Sequence, residues 1–242
     1  SVDSFEKLIK AVTIIPGSSE FAYEPAQVWR EIAPGTTLPE NVHTHSGRTD
    51  WHTAIDDLER VLPNIERSSL VVSWFGNDLR CGSCEVKPKV EQIQQDGVPM
   101  VWRAGGIGRS QAALVPRVDD RPVYGGTPAD ASVVEAIAAL RAKGIGCVFY
   151  PFVLMDQLAG NTLPDPHTGT QGQPALPWRG RITLSIAPGR TGSPDRSAAA
   201  TSEVAAFFGT ANPAHFQIAG GAVLYSGPAE WGYRRFILHY AC

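Results

Sequence analysis

The sequence predicts an α/β fold built on a parallel sheet. Three observations carry this expectation: β-branched runs that stop at Gly or Pro, amphipathic helical segments beyond them, and a strand–loop–helix order that recurs along the chain. Parallel neighbours joined this way need right-handed crossovers. An open doubly wound sheet and a (β/α)8 barrel both satisfy the pattern. No glycine-rich phosphate fingerprint follows the first strand, which weakens the dinucleotide-binding version of the open sheet.

The first strand is Ala11-Val12-Thr13-Ile14-Ile15, stopped by Pro16-Gly17. A long polar loop through His43 and His45 leads to a helix capped by Thr49 or Asp50, with Trp51, Ile55, Leu58 and Leu62 on one face. The second strand is Leu70-Val71-Val72-Ser73-Trp74-Phe75, ended by Gly76-Asn77-Asp78. A glycine-rich stretch of about residues 79–126 reads as an insertion in the β/α loop, a small hairpin or sheet. The next helix is expected to start with Thr127 as cap and Pro128 in the first turn, and to bury Val133, Val134, Ile137, Ala138 and Leu140. Gly144 ends it. The third strand, Gly146 to Phe152, opens into a second insertion of about residues 157–195, rich in Pro and Gly. Beyond it stand a short helix from about Ser197 to Phe208, stopped by Gly209, and an amphipathic one from about Pro228.

The chain has 242 residues, 43% of them hydrophobic, which suffices for one substantial core or two small ones. A formal net charge of -3 gives no concentrated basic surface, so direct nucleic-acid binding is set aside. No apolar run approaches the roughly 18–20 residues of a membrane span, and Ser1-Val2-Asp3-Ser4 begins no signal peptide. A start without Met and an end at Cys242, inside a predicted helix, read as cuts in a longer polypeptide.

Several segments together resemble one family. Ala11–Ser18, Thr44–Asp50, Leu70–Gly82, Arg121–Pro128, Val148–Asp156, Pro177–Thr183 and Arg234–Ala241 are similar to the TIM-barrel-like, glycoside-hydrolase-like domain of the tail-tip hub protein of gene transfer agents and related tailed phages. The resemblance covers nearly the whole chain. It implies a partial (β/α)8 barrel, the N-terminal part of that domain, with both insertions in β/α loops. It also implies a virion tail tip assembled in the bacterial cytoplasm, contact with other tail-tip and hub proteins, a homotrimer, an envelope glycan as target, and no cofactor. Barrel hydrolases of this kind place their carboxylates near the fourth and seventh strands. The catalytic pair is therefore expected beyond residue 242, and no residue here is assigned as acid or nucleophile.

Ligand-binding candidates are the polar and aromatic residues at the carboxyl ends of the three strands: Glu20, Trp74, Asn77, Asp78, Tyr150 and Asp156. The carboxylates serve equally well as local turn residues. Trp74 and Tyr150 offer faces on which a sugar ring stacks, or else fill the core. Alternation sends Trp74 and Phe75 to opposite sides, which favours Trp74 as the ligand aromatic. Cys81-Gly82-Ser83-Cys84 has the spacing of half a zinc site but lacks a matching second pair, so a local disulfide or two free thiols is expected, without metal. Arg179, Arg181, Arg190, Arg234 and Arg235 read as a solvated surface. Three functions remain open: a structural and host-contact component, an active hydrolase of peptidoglycan or surface polysaccharide, and a free-standing α/β metabolic enzyme.

Overall fold

A computed structural model describes residues 4–17 and 19–242. The chain divides into two compact units. The first is Ser1–Val72, Val90–Leu114 and Tyr124–Phe152; the second is Ser73–Lys89, Val115–Val123 and Val153–Cys242.

The three expected strands form one sheet in sequence order: β1 (Ala11–Ile14), β2 (Arg67–Gly76) and β3 (Gly146–Met155). β1 runs parallel to β2, with Ala11 opposite Arg67 and Ile14 opposite Leu70. β3 keeps step with β2 in the parallel sense, because Gly146 N–H donates to Glu66 C=O and Asp156 N–H to Gly76 C=O. The fold is α/β, with these three strands parallel and a short fourth strand, Val86–Lys87, joining the same sheet antiparallel to β2, and no closed barrel forms among the described residues. Being central, β2 is covered on both faces and buries a continuous run from Leu70 to Gly76. β1 and β3 are edges and stay half-exposed over most of their length, as Val148 does, although Val153 and Met155 at the end of β3 are buried.

In the first unit, helix α2 (Asp50–Val61) follows the short α1 (Phe5–Leu8). Thr49 caps α2, its hydroxyl accepting from His52 N–H at 3.3 Å, and Trp51 and Ile55 make the buried face. Helix α3 (Asp130–Ala142) departs from expectation at its start. Its cap position is Ala129, without a side-chain hydrogen bond. Thr127 is fully buried instead, and its carbonyl accepts from Trp102 Nε1 at 2.8 Å. The apolar face is Val133, Ala136 and Leu140, while Val134 points outward. Gly144 closes α3 as expected, at φ +76°, with Gly144 N–H on Arg141 C=O and Ile145 N–H on Leu140 C=O.

The segment 79–126 is not a single inserted sheet. Residues 90–114 belong to the first unit, where Val90, Trp102, Ala104 and Ala112 pack with Phe21, Val28 and Ala129. Residues 79–89 and 115–123 belong to the second, where Val86–Lys87 pairs antiparallel with the end of β2.

The second unit has its own core of Trp74, Leu79, Cys84, Val86, Val153, Met155 and Phe236. Gly76 makes room there, since a Cβ would meet Met155 Sδ at 2.9 Å and Val153 Cγ1 at 3.2 Å and displace the Met side chain. Helix α4 (Ala198–Phe208) is capped by Ser197 and stopped by Gly209 at φ +71°. Phe216–Ala219 and Ala222–Tyr225 form a hairpin across Gly220-Gly221, both at positive φ. The last helix, α5 (Tyr233–Ala241), begins later than Pro228 because the preceding residues are engaged elsewhere: Trp231 C=O accepts from Val86 N–H, and Glu230 binds Thr210.

Candidate functional site

In the second unit, the ends of β2 and β3 bring Asn77, Asp78 and Asp156 into one neighbourhood, as the parallel order requires. Asn77 Oδ1 accepts from Glu85 N–H at 2.8 Å. Asp78 turns its carboxylate back onto Arg80: Oδ1 accepts the Arg80 backbone N–H at 2.8 Å and Nε at 3.1 Å, and Oδ2 accepts Nη2 at 2.6 Å. Gln173, reaching in from the second insertion, donates to Asp78 Oδ1 at 2.7 Å and accepts from Leu79 N–H at 2.9 Å. Burial opposes the charge on Asp78, but the bonds from Arg80 and Gln173 together outweigh it and hold the carboxyl below its usual range. Asp156 is buried in an ion pair with Lys89. Both carboxylates are thus committed to fixed cations, which suits a rigid loop platform better than proton transfer.

Trp74 departs from its expected role. It is 0% exposed, stacked on Phe236 at 4.8 Å between ring centroids, with Trp231 edge-on at 5.8 Å and its Nε1 donating to Tyr240 Oη at 3.0 Å. Alternation does send Trp74 and Phe75 to opposite sides, but both sides of β2 are covered, so Phe75 is buried as fully. The stacking face proposed for a sugar is occupied by α5.

Glu20 and Tyr150 lie in the first unit. Tyr150 is half-buried, edge-on to Phe152. Glu20 is buried: its Oε1 accepts from Glu91 N–H at 2.7 Å and from Arg109 Nη1 at 3.3 Å. Arg109 in turn binds Asp96 through Nε at 3.1 Å and the Gln92 carbonyl at 2.9 Å. The Glu91 carboxyl is pushed up to about 7 by burial and by the negative charge of Glu20. An arginine-paired carboxylate beside one raised toward neutrality is an arrangement acid–base chemistry uses. Nothing in the sequence around Glu91 marks it, because its environment is assembled from distant segments.

Cys81 and Cys84 are free, buried thiols. Burial raises both, Cys84 to about 11, which disfavours the thiolate that zinc requires. His43 is held by Asp50 at 2.6 Å, and no group of three or more metal-ligating side chains occurs among the described residues.

Two further residues escaped the sequence reading. Arg235, expected in solvent, is buried, its guanidinium 3.6 Å from the Trp231 ring centroid and 3.8 Å from that of Tyr225; burial lowers it to about 10. Trp178 is the reverse case, an aromatic that is 75% exposed. It precedes the turn Arg179–Arg181, and the following Thr183 is tied to the segment after Asp78 by Thr183 N–H to Leu79 C=O at 2.8 Å and Cys81 N–H to Thr183 C=O at 2.6 Å. The signal for it was an isolated Trp in a Pro- and Gly-rich stretch, outside any apolar periodicity. No family model matches the chain, and no curated protein matches it.

Proposed function

We propose that this chain is a structural and host-contact module of a tail-tip hub protein, the N-terminal part of a barrel-like, glycoside-hydrolase-like domain that works here as a scaffold. The segments that resemble the gene-transfer-agent domain span the chain, and the parallel strand order accords with the start of such a barrel. The observation that carries the contact role is Trp178, exposed beside Arg179 and Arg181 on a loop pinned to the end of β2. Such a pairing suits an anionic envelope glycan, with a ring face for stacking and guanidinium groups for carboxylate or phosphate. Other hub proteins, and a threefold assembly, are the partners this reading expects. The test is mass spectrometry of purified particles combined with pull-down of the chain by envelope polysaccharide. Detection in particles and a binding loss of tenfold or more in Trp178→Ala support the reading; absence from particles and unchanged binding overturn it.

A second reading, an active glycan hydrolase, draws on Glu20 and Glu91, the first paired with Arg109 and the second raised to about 7. Release of reducing sugar from cell walls, lost in Glu91→Gln, favours it. No release from the isolated chain favours the scaffold.

A further inference from the structure

A third pair of carboxylates, away from both clusters above, is of a different kind. Glu24 is 1% exposed and is held from one side only: its Oε1 accepts from Ala26 N–H at 2.9 Å, while Oε2 is buried without a hydrogen-bond donor. Its neighbour is the side chain of Glu135 on α3, and burial together with that second carboxyl pushes the Glu24 carboxyl up to about 7. Both line an open pocket of about 250 Å³ with Gln27, Val28, Pro99 and Met100. No lysine or arginine lines that pocket among the described residues.

Two neighbouring carboxylate acceptors repel each other, and a shared proton, a bridging water or a cation relieves that repulsion. We propose that the Glu24–Glu135 pocket binds a hydrated divalent cation, calcium above magnesium. The donor set is hard oxygen, and its geometry is irregular, a buried carboxylate on a loop facing an exposed one on a helix. Calcium accepts six to eight oxygens in flexible arrangements and fills vacant positions with water, whereas magnesium demands a near-ideal octahedron. Two protein carboxylates place the affinity in the weak class, a Kd of about 10⁻⁴–10⁻³ M, appropriate to an extracellular setting rather than the cytoplasm. Glu135 is exposed, so the ion enters without unfolding the unit. Once bound, it would tie the middle of α3 to the loop that carries Glu24. The inference does not depend on the tail-tip reading.

The experiment is a CaCl₂ titration of the whole chain at pH 8, read by thermal melting and by calorimetry, with MgCl₂ in parallel. Saturable calcium binding at one ion per chain is expected, with the unfolding equilibrium constant falling about tenfold at ten times Kd. Glu135→Gln, at an exposed helix position, should fold normally and lose the response. Glu24→Gln should lose it as well, and as the more stable protein in the absence of calcium, since its amide supplies the donor that Oε2 lacks. No saturable binding, or an undiminished response in Glu135→Gln, overturns the site and leaves the pair holding a proton alone.

Discussion

Trp74 on β2 donates its indole N–H to the hydroxyl of Tyr240 on α5 at 3.0 Å, across 166 positions of sequence. That bond, with the Phe236 ring stacked on the indole, makes the last helix part of the second unit's core.

Trp74→Ala is therefore expected to cost about 3–5 kcal/mol of stability, the range for a fully buried aromatic. Tyr240→Phe, which removes only the acceptor, should cost about 1 kcal/mol. Glycan affinity, measured on whatever fraction stays folded, should be unchanged in both. A Trp74→Ala protein with a native melting curve would place that ring on the surface.

Breaking the Asp78 cluster should also be felt as instability. Asp78→Ala leaves Arg80 without its bidentate partner and Gln173 without its acceptor, and a loss of about 3 kcal/mol is expected for one side of a largely buried pair. Chemical denaturation of the variant checks this. A change below about 0.5 kcal/mol would mean the pair is as weak as an exposed one.

Stability should also depend on the protonation of Glu91. Its folded value of about 7 lies above the unfolded 4.5, so the folded state binds more protons between them. The stabilising contribution is fully present below about pH 4.5 and disappears as pH rises through 7. The size is on the order of 2 kcal/mol, once solvent screening of a partly accessible group is allowed for. Melting temperatures taken from pH 5 to pH 8 should fall with this component, and the slope should flatten in Glu91→Gln. Equal slopes in the two proteins would dissociate Glu91 from the effect.

Thiol chemistry offers a simple check of the second unit. Cys242 is exposed and should react with a thiol reagent within the mixing time, while Cys81 and Cys84, buried and raised, should wait for opening of the unit. Zinc added to the native protein should leave that pattern unaltered, at well under one metal per chain. Stoichiometric zinc that protects Cys81 and Cys84 would contradict it.

Sequence alone determined the features whose cause lies within a few residues. Thr49 and Ser197 cap because a hydroxyl needs only the amides of the next turn, and Gly144 and Gly209 end helices because positive φ is a property of one residue. The run Leu70 to Phe75 marked a buried parallel strand by composition, while the repeated β/α pattern fitted an open sheet and a barrel alike and left the strand order to the fold. Tertiary structure decided what each side chain faces. Alternation separates Trp74 from Phe75 but cannot say that α5 covers the side it favours for a ligand. Thr127 has every local mark of a cap, yet it is buried before the helix, which starts two residues later with Ala129 at the cap position. Arg235 belongs to a helix that reads as amphipathic, and only the folded hairpin puts Tyr225 over its guanidinium. Glu20 stood out by its place after the first strand, whereas Glu91 and Arg109, which set its chemistry, come from a segment that pattern reading left as an irregular insertion. The physical reason is the same throughout: periodicity and capping are short-range, while burial and electrostatics depend on partners that chain folding, not chain order, brings within a few ångströms.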